Sequence, residues 1–139
     1  MITKDQMFEP LLAAVPELWA HRTAFIMEWE GEAEGLPNYI FISEVVRECI
    51  SMFDQGQEER VAKILDVVEL WLKEGDPYVQ EVATVGFLED LQNENLHRKT
   101  RPEDFADLLG PESSFWWEKL NRFWQYREVL HDDRDRDER

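Results

Sequence analysis

Apolar residues recur along the chain at helical intervals, broken by short polar stretches and by Gly or Pro. Met7, Phe8, Leu11, Leu12 and Val15 form the first such stripe. Thr3 and Gln6 ahead of it have the form of a capping box, with Ile2 and Met7 placed as its hydrophobic staple. Pro10 either kinks this helix or moves its start towards Pro10, and Pro16 restarts the chain at a first-turn position. Leu18, Trp19, Arg22, Phe25, Ile26 and Trp29 predict a second helix with one face apolar except at Arg22. Residues 31–38, with two Gly, one Pro and two Glu, form the longest predicted loop. Ile42, Val45, Val46, Cys49, Ile50 and Phe53 make the cleanest stripe, stopped by Gly56. Residues 38–42 (NYIFI) are β-prone, but their continuity with that stripe predicts helix. Val61, Ile64, Leu65, Val68, Trp71 and Leu72 follow, ended by Gly75, with Asp76 as N-cap and Pro77 as first residue of the next helix.

That next helix carries Val79, Val82, Ala83, Gly86, Phe87 and Leu91. A helical glycine costs about 1 kcal/mol against Ala, so Gly86 predicts close approach by a neighbouring helix. Thr100 and Glu103 again have capping-box form, opening a short helix through Leu109. Gly110-Pro111 breaks it and starts a last helix with Phe115, Trp116, Trp117, Leu120, Phe123, Trp124, Tyr126 and Leu130. No segment predicts a strand. The expectation is one all-α domain over residues 1–130, five to six antiparallel helices in a bundle. Residues 131–139 contain no apolar side chain and are expected to form a disordered, charged tail.

Composition narrows this picture. A chain of 139 residues fits one domain. Its 43% hydrophobic content, with six Trp and eight Phe, excludes a disordered acidic polymer. No apolar run approaches the ~20 residues needed to cross a bilayer, and the N-terminus lacks the basic patch and apolar run of a signal peptide. The single cysteine, Cys49, cannot form an intrachain disulfide, so a cytoplasmic location is expected. The 31 acidic and 15 basic residues give a net charge of −16, which argues against binding a phosphate backbone.

Candidate chemistry is thin. Glu94 and His97 are spaced to share a helix face, but a di-metal bundle needs two such pairs and two further glutamates. One Cys and three scattered His make no zinc cluster. Cys49 lies on an apolar stripe and reads as a small buried hydrophobe. Ser113 and Ser114 sit at a helix start, where serine serves capping. No glycine-rich phosphate loop is present. No metal, cofactor or catalytic residue is assigned, and the protein is read as a non-enzyme.

The acid itself is the remaining signal. Residues 131–139 hold five acids and three bases, so −14 of the charge belongs to residues 1–130. Such a surface serves solubility or steers a basic partner. Glu28, Glu30, Glu32 and Glu34 surround Trp29, and Glu69, Glu74 and Asp76 gather near the Gly75 turn. The aromatic last helix adds a candidate interface, since the adjacent Trp116 and Trp117 cannot both be buried on one helix face.

Residues 58–73 followed by 75–91, with Gly75-Asp76-Pro77 at the turn and Phe87-Leu88-Glu89 in the second helix, resemble one α-hairpin of a HEAT-like repeat. They also resemble small helical bacterial proteins of the polymorphic-toxin immunity type, over about residues 40–95. The resemblance implies a HEAT-like hairpin stack and a basic protein partner such as a toxin domain, and it transfers no catalytic residue. The partner-binding residues expected are Trp29, Glu30, Glu32, Glu34, Glu69, Glu74 and Asp76, with no nucleic acid and no membrane involved. The competing readings are a general interaction or regulatory module, a carboxylate-bridged metal enzyme at Glu94 and His97, and a DNA mimic. Oligomeric state is left open.

Overall fold

The computed structural model describes residues 1–32, 35–126, 130, 132 and 134. In chain order, α1 spans Phe8–Ala14, α2 Leu18–Glu28, α3 Asn38–Asp54, α4 Glu58–Glu74, α5 Pro77–Glu81, α6 Glu89–Leu91 and α7 Pro111–Tyr126. A π-helical stretch, Val82–Leu88, joins α5 to α6, and 3₁₀ turns cover Glu94–Leu96 and Pro102–Leu108. The fold is thus an all-helical antiparallel bundle. Among the described residues seven α-helical segments stand where five to six were expected, because the π stretch divides one predicted helix into α5 and α6. Among the described residues the only strand-like feature is an isolated parallel bridge between Ile2 and Gly75. No described helix is long and apolar enough to cross a membrane.

The helix ends follow local chemistry. Gly56 takes φ 79°, with its N–H on the Phe53 carbonyl (3.0 Å) and that of Gln57 on Met52 (2.9 Å). These two bonds make the Schellman closure of α3 and turn the chain directly into α4. Gly75 closes α4 differently. Its φ is −78°, so no left-handed conformation is required. A Cβ there would instead meet the Trp71 carbonyl and lie 2.5 Å from Val79 Cγ1. Asp76 then caps α5 as expected, its carboxylate accepting from the Val79 N–H at 2.9 Å.

The α5–π–α6 rod lies at the centre, packed by α3, α4 and α7. Val82, Ala83, Thr84, Gly86, Phe87 and Leu88 are all buried, so nearly its whole circumference is covered. Gly86 is where α3 comes close: a Cβ there would stand 3.3 Å from the Tyr39 ring and 3.6 Å from Ile42. Elsewhere in the core, Phe8, Phe25, Phe41 and Trp71 form one aromatic cluster, with Phe41 5.2 Å from both other phenylalanine rings. The Trp71 indole N–H donates to the Met7 carbonyl at 2.8 Å, which satisfies its one polar atom inside the core.

Several local expectations are corrected. Only one half of the first capping box is described, Thr3 N–H to Gln6 Oε1 at 3.2 Å. Helix α1 opens at Phe8, near Pro10, while Ile2 exchanges backbone bonds with Glu74 and Asp76 (2.7 and 2.9 Å). The second box shifts by one residue: the Arg101 N–H donates to Asp104, because the Thr100 hydroxyl is engaged with His97 at 2.7 Å. Leu18 and Phe25 are buried in α2, but Trp19 and Ile26, expected on the same face, are exposed. The expected disorder of residues 131–139 falls mainly on residues outside the described ones; of that stretch, Asp132 and Arg134 are described. Arg134 pairs with Glu112 and lies 3.9 Å over the Phe115 ring. The other tail residues lie outside the described ones.

Candidate functional site

Each α-helix begins with backbone N–H groups that lack an intrahelical acceptor. At α7 those donors are met from another helix. Glu69, on α4, accepts from the N–H of Glu112 (3.0 Å) and from the N–H and hydroxyl of Ser113 (both 2.9 Å). Burial alone would raise its pKa. The bonds from Ser113 and Glu112, with Lys73 nearby, outweigh that and hold the carboxyl below its ordinary value. A negative group at a helix N-terminus is also favoured by the helix dipole. Gly110 makes room, since a Cβ there would lie 2.5 Å from the Glu69 carboxyl carbon. Glu69 is therefore buried and occupied, which removes it from the expected contact surface. Ser113, expected to cap with its own hydroxyl, is fully buried and donates to Glu69 instead.

The other expected contacts fall into two groups at one end of the bundle. There α3 starts, α4 ends and α5 starts, with the Asn38 amide donating to the Tyr78 hydroxyl at 3.4 Å. Glu30 and Glu32 are exposed on the chain leaving α2, and Glu74 is exposed at the end of α4. Asp76 is half-buried in its capping role. Trp29 is half-buried against the core, 6.2 Å from Phe25, with its indole N–H enclosed and without a partner. It is not an exposed anchor. Glu34 lies outside the described residues.

Reactive side chains are held in structural roles. Cys49 is fully buried, and burial pushes its thiol pKa up to about 12. His97 uses both ring nitrogens, Nε2 donating to the Leu91 carbonyl (2.8 Å) and Nδ1 facing the Thr100 hydroxyl (2.7 Å). It also packs 5.7 Å from Phe105, so pairing with Glu94 at a metal would require giving up those bonds. A cleft of about 450 Å³ is lined by Glu89, Asp90, Gln92, Asn93, Glu94 and Trp124. Burial, then the Asp90 charge, raises the Glu89 pKa. Arg22 turns inward, its guanidinium 4.3 Å over Phe8 and 4.8 Å over Phe41.

One surface escaped the reading of the sequence. Trp19, Ile26 and Met27 are 56%, 41% and 69% exposed on α2, and Ala20, Thr23 and Ala24 between them are exposed as well. The signal was present: α2 has apolar residues almost all round, more than one buried face can take. No match to the chain is found among curated proteins or solved structures. A family model described as a domain of unknown function (DUF7674) matches residues 8–125, and the chain belongs to that family.

Proposed function

We propose that the protein is a non-catalytic acidic binding protein that captures a basic protein partner in the cytoplasm, in the manner of an immunity protein covering a toxin domain. One observation carries this reading. Glu28, Glu30 and Glu32 are exposed at and beyond the end of α2, and none forms an ion pair with a described basic side chain. Three exposed carboxylates within five residues make an acidic patch, which a basic partner can neutralise. They add to a net charge of −16, which steers a basic partner by long-range attraction. The α4–α5 hairpin supports the immunity reading and its HEAT-like form, through the resemblance at Gly75, Asp76 and Pro77.

The test is equilibrium and stopped-flow binding to toxin candidates encoded beside this gene. The association rate is expected to fall steeply with salt and to drop when Glu30 and Glu32 are both changed to Lys. Unchanged binding after that reversal, or neighbours with no toxic activity, would refute the proposal.

A further inference from the structure

Helix α2 places successive side chains ~100° apart. Leu18, Arg22, Phe25 and Trp29 follow one another inward, which turns Ala20, Thr23, Ala24 and Met27 to the opposite half, with Trp19 and Ile26 on its flank. Single exposed apolar residues are ordinary, but here five apolar residues and Thr23 are all exposed on one continuous side of the helix. Between Glu17 and Glu28 that face carries no charged side chain. His21 is drawn towards Glu48 on α3 (3.4 Å), and Arg22 is stacked on Phe8 and Phe41. From Trp19 to Met27 the face runs about 12 Å, a little over two turns.

The rim decides what covers it. Glu28, Glu30 and Glu32 stand at its C-terminal end, and Glu17 at its N-terminal end is ion-paired with Arg60 at 2.7 Å. A second copy seated in parallel would bring Glu28, Glu30 and Glu32 against their own twins; seated antiparallel, they would meet a Glu17 already neutralised by Arg60, against the repulsion of the −16 that each chain carries. An anionic bilayer is repelled in the same way. A helix with one apolar face and flanking Lys or Arg meets both demands, its apolar face on Trp19, Ile26 and Met27 and its cations on the glutamates. Trp is enriched among binding hot spots, and Met adapts its shape to what it meets.

We propose that the exposed face of α2, centred on Trp19, Ile26 and Met27 and rimmed by Glu28, Glu30 and Glu32, docks a basic amphipathic helix of the partner protein. This rests on the reading of the protein as a binder of basic proteins and adds where, and by what kind of segment, it is engaged.

The probe is a fluorescein-labelled synthetic helix of about 18 residues, five turns, with Leu on one face and Lys on the other. A scrambled peptide of the same composition is the control. Fluorescence anisotropy is read against the full chain. The amphipathic helix should bind at least about tenfold tighter than the scrambled peptide. Met27→Glu should weaken its binding about tenfold although it adds an acid, and Trp19→Ala should weaken it about threefold. Both side chains are exposed, so far-UV circular dichroism should show unchanged folding. Equal or tighter binding by Met27→Glu, or equal binding of the scrambled peptide, overturns the α2 face and leaves the acidic-binder reading intact if Glu30→Lys/Glu32→Lys still weakens both peptides. If the Lys variant binds both peptides like the parent, the acidic-binder reading fails, and with it the basic partner. Self-association of the free protein that Met27→Glu abolishes, or sedimentation with neutral lipid vesicles, would assign the face to a second copy or to lipid and overturn the proposal.

Discussion

Replacing Glu69 by Gln tests how much of the fold depends on a cap supplied across the chain. The carboxylate accepts three hydrogen bonds at the start of α7. Glutamine keeps one carbonyl oxygen, enough for Ser113, and turns an NH2 group towards the Glu112 N–H, donor against donor. An unpaired enclosed N–H costs roughly 1–3 kcal/mol. Losing the charge at the helix N-terminus costs roughly 0.5–1 kcal/mol more, while the neutral amide is cheaper to bury. The net expectation is about 2–3 kcal/mol, or roughly 6–12 °C in Tm for a domain of this size. Urea and thermal unfolding by circular dichroism measure it. The pH dependence has a definite sign. A carboxyl whose folded pKa lies below its ordinary 4.5 contributes stability above that value and loses it as pH falls through the folded pKa. The gap between parent and Glu69→Gln should be constant near neutrality and close on acidification below about pH 4.5. A gap that is flat or widens, or a cost under about 0.5 kcal/mol, refutes the reasoning. Gly110→Ala should reproduce much of the loss in the parent, and cost less where Glu69 is already Ala, a coupling that a double-mutant cycle reads directly.

Gly75→Ala, whose Cβ meets backbone and Val79, should destabilise by about 1–3 kcal/mol in urea unfolding. Cys49 should not react with a thiol reagent at neutral pH in the folded protein and should react fully in denaturant, because its pKa is near 12 and it is buried. Arg22→Ala should cost about 1–2 kcal/mol through lost stacking on Phe8 and Phe41. Arg22→Met should recover most of it, since one guanidinium nitrogen is buried without a partner. Thermal melts of the two variants compare them.

What was legible in the sequence was local. The Gly56 stop, the Asp76 cap and the helical state of residues 38–42 depend on neighbours within a few positions, and each stands as expected. Gly86 was readable as a contact point because a glycine inside an apolar stripe has few other uses. Glu69 was not, since its partner Glu112 is 43 residues away and an acid on a helix looks the same whether it faces water or a helix end. The first capping box failed for a related reason: the pairing of Ile2 with Glu74 and Asp76 redirects the chain before α1. In α2, periodicity identified the helix but not its buried side, because apolar residues lie on both. Of the expected contact residues, Glu30, Glu32 and Glu74 are exposed, while Trp29 and Asp76 are half-buried.

The wide turn of Val82–Leu88 bears on how the chain accepts changes of length. A hydrogen bond from residue i to i+5 takes in one residue more than an α-helical bond, so the stretch stores slack of one residue. Elsewhere in a helix, removing a residue swings everything beyond it by ~100° and turns the buried side outward. Here the deletion is absorbed by reversion to α geometry, and Leu91 keeps its place in the core. A one-residue gap inside this helix, rather than in a loop, is therefore the length difference to look for among members of the family.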